Sequence, residues 1–373
     1  MSTSTPRSRS SRTRCSGSQL GVGCEYPAGA AEGAVSTVLV AMSGGVDSSV
    51  AAALLLERGH EVVGMTLKLW GGPSDSGCCS VSDVEDARRV AAQLRIPHYV
   101  LNLTDEFDRD VVSPYVDDYA AGRTPNPCVE CNRHVKFGLL LDRAHDMGFD
   151  AVATGHHARV VHTVRGPHIA RGIDRAKDQS YVLYMLGPGV LGRVMLPVGE
   201  LDKTAVRDHA RRLGLRTADK AESMDVCFIT RGGREQFIGE RAPMVPGTIR
   251  DVSGRVVGTH AGIGRFTVGQ RRRVGVATGD RRYVVDLDAP TATVTIGSSD
   301  DLLRPHVGLE GLVVHDARVP DVVDVQVRAH GAPVPGRLDG TTVRFANAQP
   351  RVAPGQVVAL YDGDVVVGGG IAR

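Results

Sequence analysis

The stretch Ser43-Gly44-Gly45-Val46-Asp47-Ser48-Ser49 constrains this chain more than any other. The apolar run Val38-Leu39-Val40-Ala41-Met42 precedes it and reads as a buried parallel strand. Val50-Ala51-Ala52-Ala53-Leu54-Leu55-Leu56 follows and reads as a helix. A strand, a Gly/Ser turn and a helix start make an anion cradle, because backbone N–H groups point outward and the helix dipole favours negative charge. Two glycines let the backbone approach a phosphate, and Ser43, Ser48 and Ser49 add hydroxyl donors. Asp47 is placed to cap the helix or hold a metal. No Lys follows in the Walker position, so this is not a GxxxxGK[ST] loop.

The rest of the first 235 residues alternates in the same way. Glu61 to Leu69 reads as a second strand, and Ser82 to Glu85 has capping-box spacing ahead of a helix over Ala87–Leu94. His98 to Leu103 reads as a third strand, and Thr104 begins a helix to about Tyr119. Val135 to Met147 has helical spacing, and Asp150 to Thr154 is a fourth strand ending at Gly155. This order implies an α/β, doubly wound parallel sheet with ligands beyond the carboxyl ends of its strands. From about Pro243 the composition turns to Val, Thr, Gly and Arg with recurrent turn signals. The expected division is a tail over 1–35 (disordered, or an upstream start assigned in error), a catalytic domain over 36–235, a small β-rich domain over 236–304 and an antiparallel β-barrel over 305–373.

The formal charge is +2, and residues 1–35 alone carry +2 (Arg7, Arg9, Arg12 and Arg14 against Glu25 and Glu32), so the remainder is neutral by this count. Nucleic-acid binding would have to come from local basic patches. No run approaches the ~18 apolar residues of a membrane span. Seven cysteines, with no export signal read in the tail, argue for the reducing cytoplasm, where cysteines serve catalysis or metal binding rather than structural bridges.

Two cysteine segments carry chemistry. In Arg123-Thr124-Pro125-Asn126-Pro127-Cys128-Val129-Glu130-Cys131-Asn132, two prolines stiffen a loop that ends in a cysteine near a helix start, where a thiolate is favoured. Lys136 lies little more than a turn further and could lower the Cys131 pKa. The second segment is Met224-Asp225-Val226-Cys227-Phe228-Ile229.

The phosphate loop resembles the PP-loop of ATP pyrophosphatases, with their adenine nucleotide hydrolase-like fold. The loop, the Pro-Asn-Pro-x-x-x-Cys-Asn segment, Ala153–Arg159, Asp174–Tyr181, the Cys227 segment, Phe266–Arg271 and Ala353–Gln356 together resemble the bacterial tRNA-specific 2-thiouridylases, the MnmA/TrmU family. The likeness runs from about residue 36 to the end. It implies ATP-dependent 2-thiolation of the wobble uridine U34: ATP adenylates uracil O2 with release of pyrophosphate, and a persulfide sulfur then displaces AMP. It implies Cys227 as persulfide carrier and Cys131 as the partner that frees the sulfur. It implies ATP contacts from Ala41, Met42, Ser43, Gly44, Gly45, Val46, Asp47, Ser48, the main chain of Leu67, and Gly155, with Mg²⁺ alongside the phosphates and Asp47 as its candidate ligand. It implies tRNA contacts from Asn126, Pro127, Cys128, His156, Lys177, Asp178, Gln179, Arg328, Ala329 and Gln356. The implied partners are tRNA of the Lys, Glu and Gln type and a cysteine desulfurase or sulfur-relay protein, without a membrane.

One residue departs from the family's commoner pattern: Cys128 stands where many members have Asp. It creates Cys128-x-x-Cys131, which with Cys227 supplies three thiolates for an alternative iron–sulfur cluster route. A different PP-loop ligase or sulfurtransferase is the other rival reading.

Overall fold

The computed structural model describes residues 35–70, 80–221, 226–229, 233–276, 280–329 and 331–373. The expectations for the N-terminal tail and for the residues just ahead of Cys227 lie outside the described residues.

The catalytic part is built on five parallel strands. In chain order they begin β1 (Thr37–Ala41), α1 (Val46–Glu57), β2 (Glu61–Lys68), α2 (Val81–Leu94), β3 (His98–Asn102) and β4 (Ala151–Ala153), with Val194–Met195 at the far edge. The spatial order is β3, β2, β1, β4 and then Val194–Met195, every pair parallel. Alternation along β1 splits the core in two. Val38 and Val40 pack under α1, α2 and the helix Lys203–Arg212, while Leu39 packs with the helical stretches Thr104–Ala120 and Pro127–Asp146 on the other face. Helices on both faces bury the sheet, as its unbroken apolar strands require.

Three local expectations are corrected. The capping box of α2 is formed by Ser80 and Asp83, not Ser82 and Glu85: Asp83 N–H donates to Ser80 Oγ at 3.2 Å and Ser80 N–H to Asp83 Oδ2 at 3.2 Å. The cysteine loop does not run on to Val135. Asn126 accepts from Cys128 N–H at 3.1 Å and Pro127 occupies the first helical position, so the helix begins eight residues early and contains both Cys128 and Cys131. Residues Cys131–Leu139 then take wide, π-type turns, a form common at functional sites. Finally, Ala158–Thr163 and Gly166–Arg171 form an antiparallel hairpin within the α/β region. It leaves that sheet and joins the C-terminal one through Val365 and Ala170.

Beyond the helix Gly233–Gly239, strands Gly247–Asp251, Val256–His260, Tyr283–Asp288 and Thr293–Gly297 make a four-stranded sheet. The chain ends in six antiparallel strands that close on themselves, since Leu303–Val314 pairs with both Thr342–Pro350 and Val365–Ala372. Closure removes the exposed sheet edges.

Candidate active site

At the carboxyl edge of β1 the chain turns through Ser43–Gly45 into α1. Gly45 is the N-cap, and no side chain caps the helix, so Asp47 is not the cap that its position suggested. An uncapped helix start presents N–H groups to an anion. Gly44 has φ +73°, and a Cβ there would lie 2.2 Å from the Asp83 carbonyl oxygen. Only glycine lets α2 approach the loop this closely. The loop also braces itself. Ser49 Oγ donates to the Gly45 carbonyl at 2.7 Å, and Ser48 Oγ accepts from Ser43 N–H at 3.2 Å. Ser49 is fully buried, so its hydroxyl shapes the cradle from within, whereas Ser43 is exposed.

The Asp47 carboxylate is held by two residues that sequence reasoning missed as site residues. Lys203 Nζ donates to both of its oxygens at 2.7 Å, and His157 Nε2 lies 3.1 Å from Oδ1. Burial alone would raise the Asp47 pKa, but the His157 hydrogen bond and the Lys203 ammonium outweigh it and hold the carboxyl below its usual range. Lys203 therefore brings, from a distant helix, the ammonium that a Walker loop carries in its own sequence. Its only sequence signal was a helix start at Asp202-Lys203, where Asp202 accepts from Ala205 N–H at 2.8 Å. A second lysine, Lys220, donates to the Gly44 carbonyl at 3.0 Å and to Asp83 and Asp86 at 2.7 Å each. It ties the loop to α2 just before the segment that leads to Cys227.

Gly155 follows β4 and packs against the Asp47–Ser48 backbone, so the second strand end of the cleft is where it was expected. Leu67 lies near the end of β2. β1 pairs with β2 only as far as Ala41 and Met65, and Met65 accepts from Met42 N–H at 2.8 Å. By the alternation of a parallel ladder, Leu67 turns its N–H and C=O to that same side, past the end of β1. Ala41 and Met42 lead into the loop, with Met42 buried.

The two cysteines share one apolar cluster. Cys131 is 6% exposed and belongs to the core that contains Leu67, while Cys227 is half-buried and packs against it. Phe228 anchors the Cys227 segment. It is 1% exposed, with ring centroids 5.2 Å from Tyr115, 5.3 Å from Phe237 and 5.7 Å from Phe107. Cys128 is exposed. Among the described residues no group of three or more His, Cys, Asp or Glu is gathered to hold a metal ion. Cys128, Cys131 and Cys227 are accordingly not grouped together among the described residues. Lys136 is half-buried, and its charge acts on His156, adding to the burial that drives the His156 pKa well down.

The expected tRNA contacts divide. Lys177 is half-buried, and Gln179, Arg328 and Ala329 are exposed. Asn126 and Pro127 form the helix cap described above. His156 is buried with Nδ1 2.7 Å from Thr154 Oγ1, and Asp178 is buried on Arg171 Nη1, Gly172 N–H and Ser180 Oγ at 2.9–3.1 Å. The His156 and Asp178 side chains are therefore mostly turned into the protein in this arrangement. Gln179 braces His157: its Oε1 accepts from His157 N–H, and its N–H donates to the His157 carbonyl, both at 2.9 Å.

A buried parallel sheet that feeds its first strand into an uncapped Gly/Ser loop, with a lysine delivered in space, defines a nucleotide-binding domain of the PP-loop ATP-utilising class. Family models match nearly the whole described chain: a tRNA methyl transferase HUP domain over 36–231, a tRNA methyl transferase PRC-barrel domain over 235–298 and an aminomethyltransferase beta-barrel domain over 314–372. The chain is 44% identical over 370 residues to the tRNA-specific 2-thiouridylase MnmA of Roseiflexus castenholzii, covering 91% of this chain and 100% of the relative. It is 46% identical over 355 residues to that of Mycobacteroides abscessus, covering 90% and 98%, and 46% identical over 360 residues to that of Chloroflexus aggregans, covering 91% and 99%. The chain belongs to the tRNA-specific 2-thiouridylase family.

Proposed function

We propose that this protein uses ATP to make 2-thiouridine at the wobble position, U34, of tRNAs of the Lys, Glu and Gln type. The observation that carries the reading is the shared cluster of Leu67, Cys131 and Cys227 beside the phosphate loop. Leu67 and both thiols belong to one apolar layer on one face of the sheet, which supports this reading. ATP binds with its phosphates on the Ser43–Ser48 loop and its base against the Leu67 main chain. The Lys203 ammonium and the α1 N-terminus stabilise the charge that develops as uracil O2 attacks the α-phosphorus and pyrophosphate leaves. The persulfide sulfur on Cys227 then displaces AMP from C2. The Cys131 thiolate then attacks Cys227 Sγ and breaks the S–S bond, so that the outer sulfur leaves on C2 as 2-thiouridine; a thiol reductant reopens the resulting Cys131–Cys227 disulfide.

The site suits a cation beside the phosphates, because Asp47 is kept ionised and Mg²⁺ needs only one or two protein carboxylates. Bound there, Mg²⁺ would neutralise phosphate charge. The three thiols of the cluster alternative are not grouped among the described residues, which favours the persulfide route. A cysteine desulfurase or a relay protein supplies the persulfide, and the reaction runs in the cytoplasm. Among the described residues no helix is long and apolar enough to cross a membrane. The parts divide the work: 36–235 for chemistry, and 236–304 with 305–373 for holding tRNA.

Mass spectrometry of tRNA nucleosides from a deletion strain tests the proposal. Loss of 2-thiouridine, restored by the wild-type gene but not by Cys227→Ser, is the expected result. Unchanged 2-thiouridine in the deletion strain sinks it.

A further inference from the structure

Gln356, implied above as a contact to tRNA, turns its side chain inward. Its Nε2 donates to the Thr124 carbonyl oxygen at 2.6 Å. The barrel also takes the other main-chain group of that residue, with Thr124 N–H donating to the Pro354 carbonyl at 2.7 Å. Both bonds come from the turn Pro354–Gln356, which is itself fixed to the last strand. Gly355 N–H donates to the Ala372 carbonyl, and Ala372 N–H to the Gln356 carbonyl, each at 2.8 Å. Next to Thr124, Arg123 pairs with Asp118 at 2.8 Å and with Glu310 of the barrel. One residue of the catalytic part is thus gripped by the barrel at both its donor and its acceptor.

Thr124 lies four residues before Cys128, and the intervening backbone has little freedom. Proline fixes φ at 125 and 127. Thr124 and Asn126 each precede a proline, which disfavours the helical region, and Asn126 stands extended at φ −109°, ψ 99°. Asn126 then caps the helix on Cys128 N–H. The segment between Thr124 and the first helical turn therefore offers few soft dihedrals to absorb a displacement of Thr124.

We propose that Gln356 is a positioning residue for sulfur transfer: through Thr124, the barrel sets where the helix start bearing Cys128 and Cys131 stands. Gln356 touches no reacting atom, and its effect falls on the thiol step. The proposal rests on the reading that Cys131 takes part in thiolation.

The test uses the full-length enzyme with Gln356→Met, which keeps the side-chain length and removes the donor. Three quantities are read: steady-state thiolation of tRNA, pyrophosphate release, and the rate at which iodoacetamide labels buried Cys131, followed by peptide mass spectrometry. The kcat for 2-thiouridine should fall about tenfold, since losing the bond to Thr124 lets a reacting group shift. The KM for tRNA and the rate of pyrophosphate release in a single turnover should stay within about twofold, and Cys131 labelling should rise. Gln356→Asn keeps the amide donor but draws it back by one methylene, so its losses should be smaller and in the same parameters. If Gln356→Met does not fold, Gln356→Asn decides by the same criteria. A rise in KM for tRNA with unchanged kcat would make Gln356 an RNA contact and overturn the proposal, as would parental kcat together with parental labelling. A parent inactive on tRNA would instead sink the thiolase reading, and Cys131 labelling alone would then judge the grip on Thr124.

Discussion

Around Asp47 the site is charged and braced, whereas around Cys131 and Cys227 it is apolar. Asp47 shares its carboxylate with Lys203 and His157, and Lys220 fastens the Gly44 carbonyl to two aspartates on α2. The thiol region is built mainly from apolar side chains. Cys131 sits among Phe107, Tyr115, Val135 and Leu140, and Phe228 fixes the Cys227 segment through aromatic edges. The difference matches two kinds of chemistry. Adenylation moves charge between phosphates and needs fixed dipoles where that charge develops. Sulfur transfer needs an activated uridine and a persulfide kept from water, which apolar walls supply.

Breaking the charged side should have the largest effect. Lys203→Met should lower tRNA-dependent pyrophosphate release about 10²–10³-fold, the usual cost of removing one electrostatic stabiliser. The sign of its pH effect also follows. Lys203 helps hold the Asp47 pKa down, so without it that pKa rises and the acid limb of the rate profile moves to higher pH. Stopped pyrophosphate assays across pH check both. If pyrophosphate release survives while thiolation is lost, Lys203 belongs to the sulfur step and the division between the halves fails.

Breaking the apolar side should act differently. Phe228→Ala removes a ring that is 1% exposed and packs against Phe107, Tyr115, Phe237 and Trp70. Urea unfolding should show a loss of about 3–5 kcal/mol, the range for large-to-small changes of a buried aromatic residue. In the folded fraction, thiolation should fall more than pyrophosphate release. An equal fall in both would mean that the Cys227 segment also shapes the phosphate site, with Lys220 as the physical link.

The two regions also differ in how far the sequence revealed them. The phosphate loop was legible because strand, glycines and helix start are contiguous, and their spacing alone places N–H groups on an anion. The parallel sheet followed from apolar runs at regular intervals. Lys203 was not legible, because it meets Asp47 only through the packing of a helix 156 residues later. The hairpin 158–171 was hidden because its strands are short and its pairing partner, Val365, is near the other end of the chain. The early helix start at Pro127 was misread because two prolines signal a loop, although Asn-Pro is also a cap followed by a first helical residue. His156 and Asp178 match family motifs for RNA contact, yet a motif records which residue is present and not which way it faces.

The smallest effect is expected at Cys128, and it tests whether the thiol side contains metal chemistry at all. Cys128 is exposed while Cys131 is buried, and the three thiols are not gathered among the described residues. In the persulfide route Cys128 performs no step. Cys128→Asp would then restore the family's commoner residue at the second position of a helix, where a carboxylate meets the positive end of the dipole. The nearby Tyr115 hydroxyl, whose pKa burial already drives up, would simply stay protonated beside the new charge. Thiolation should therefore stay within about twofold, the scale of an exposed substitution. In a cluster route Cys128 is a ligand, so iron and activity should fall together unless the carboxylate ligates in its place. Anaerobic purification of the parent and Cys128→Asp, with iron and sulfide content measured beside thiolation rate, separates the two. Stoichiometric iron in the parent, with iron and activity both lost in the variant, would replace the apolar persulfide pocket with a metal centre and end the contrast between the two halves.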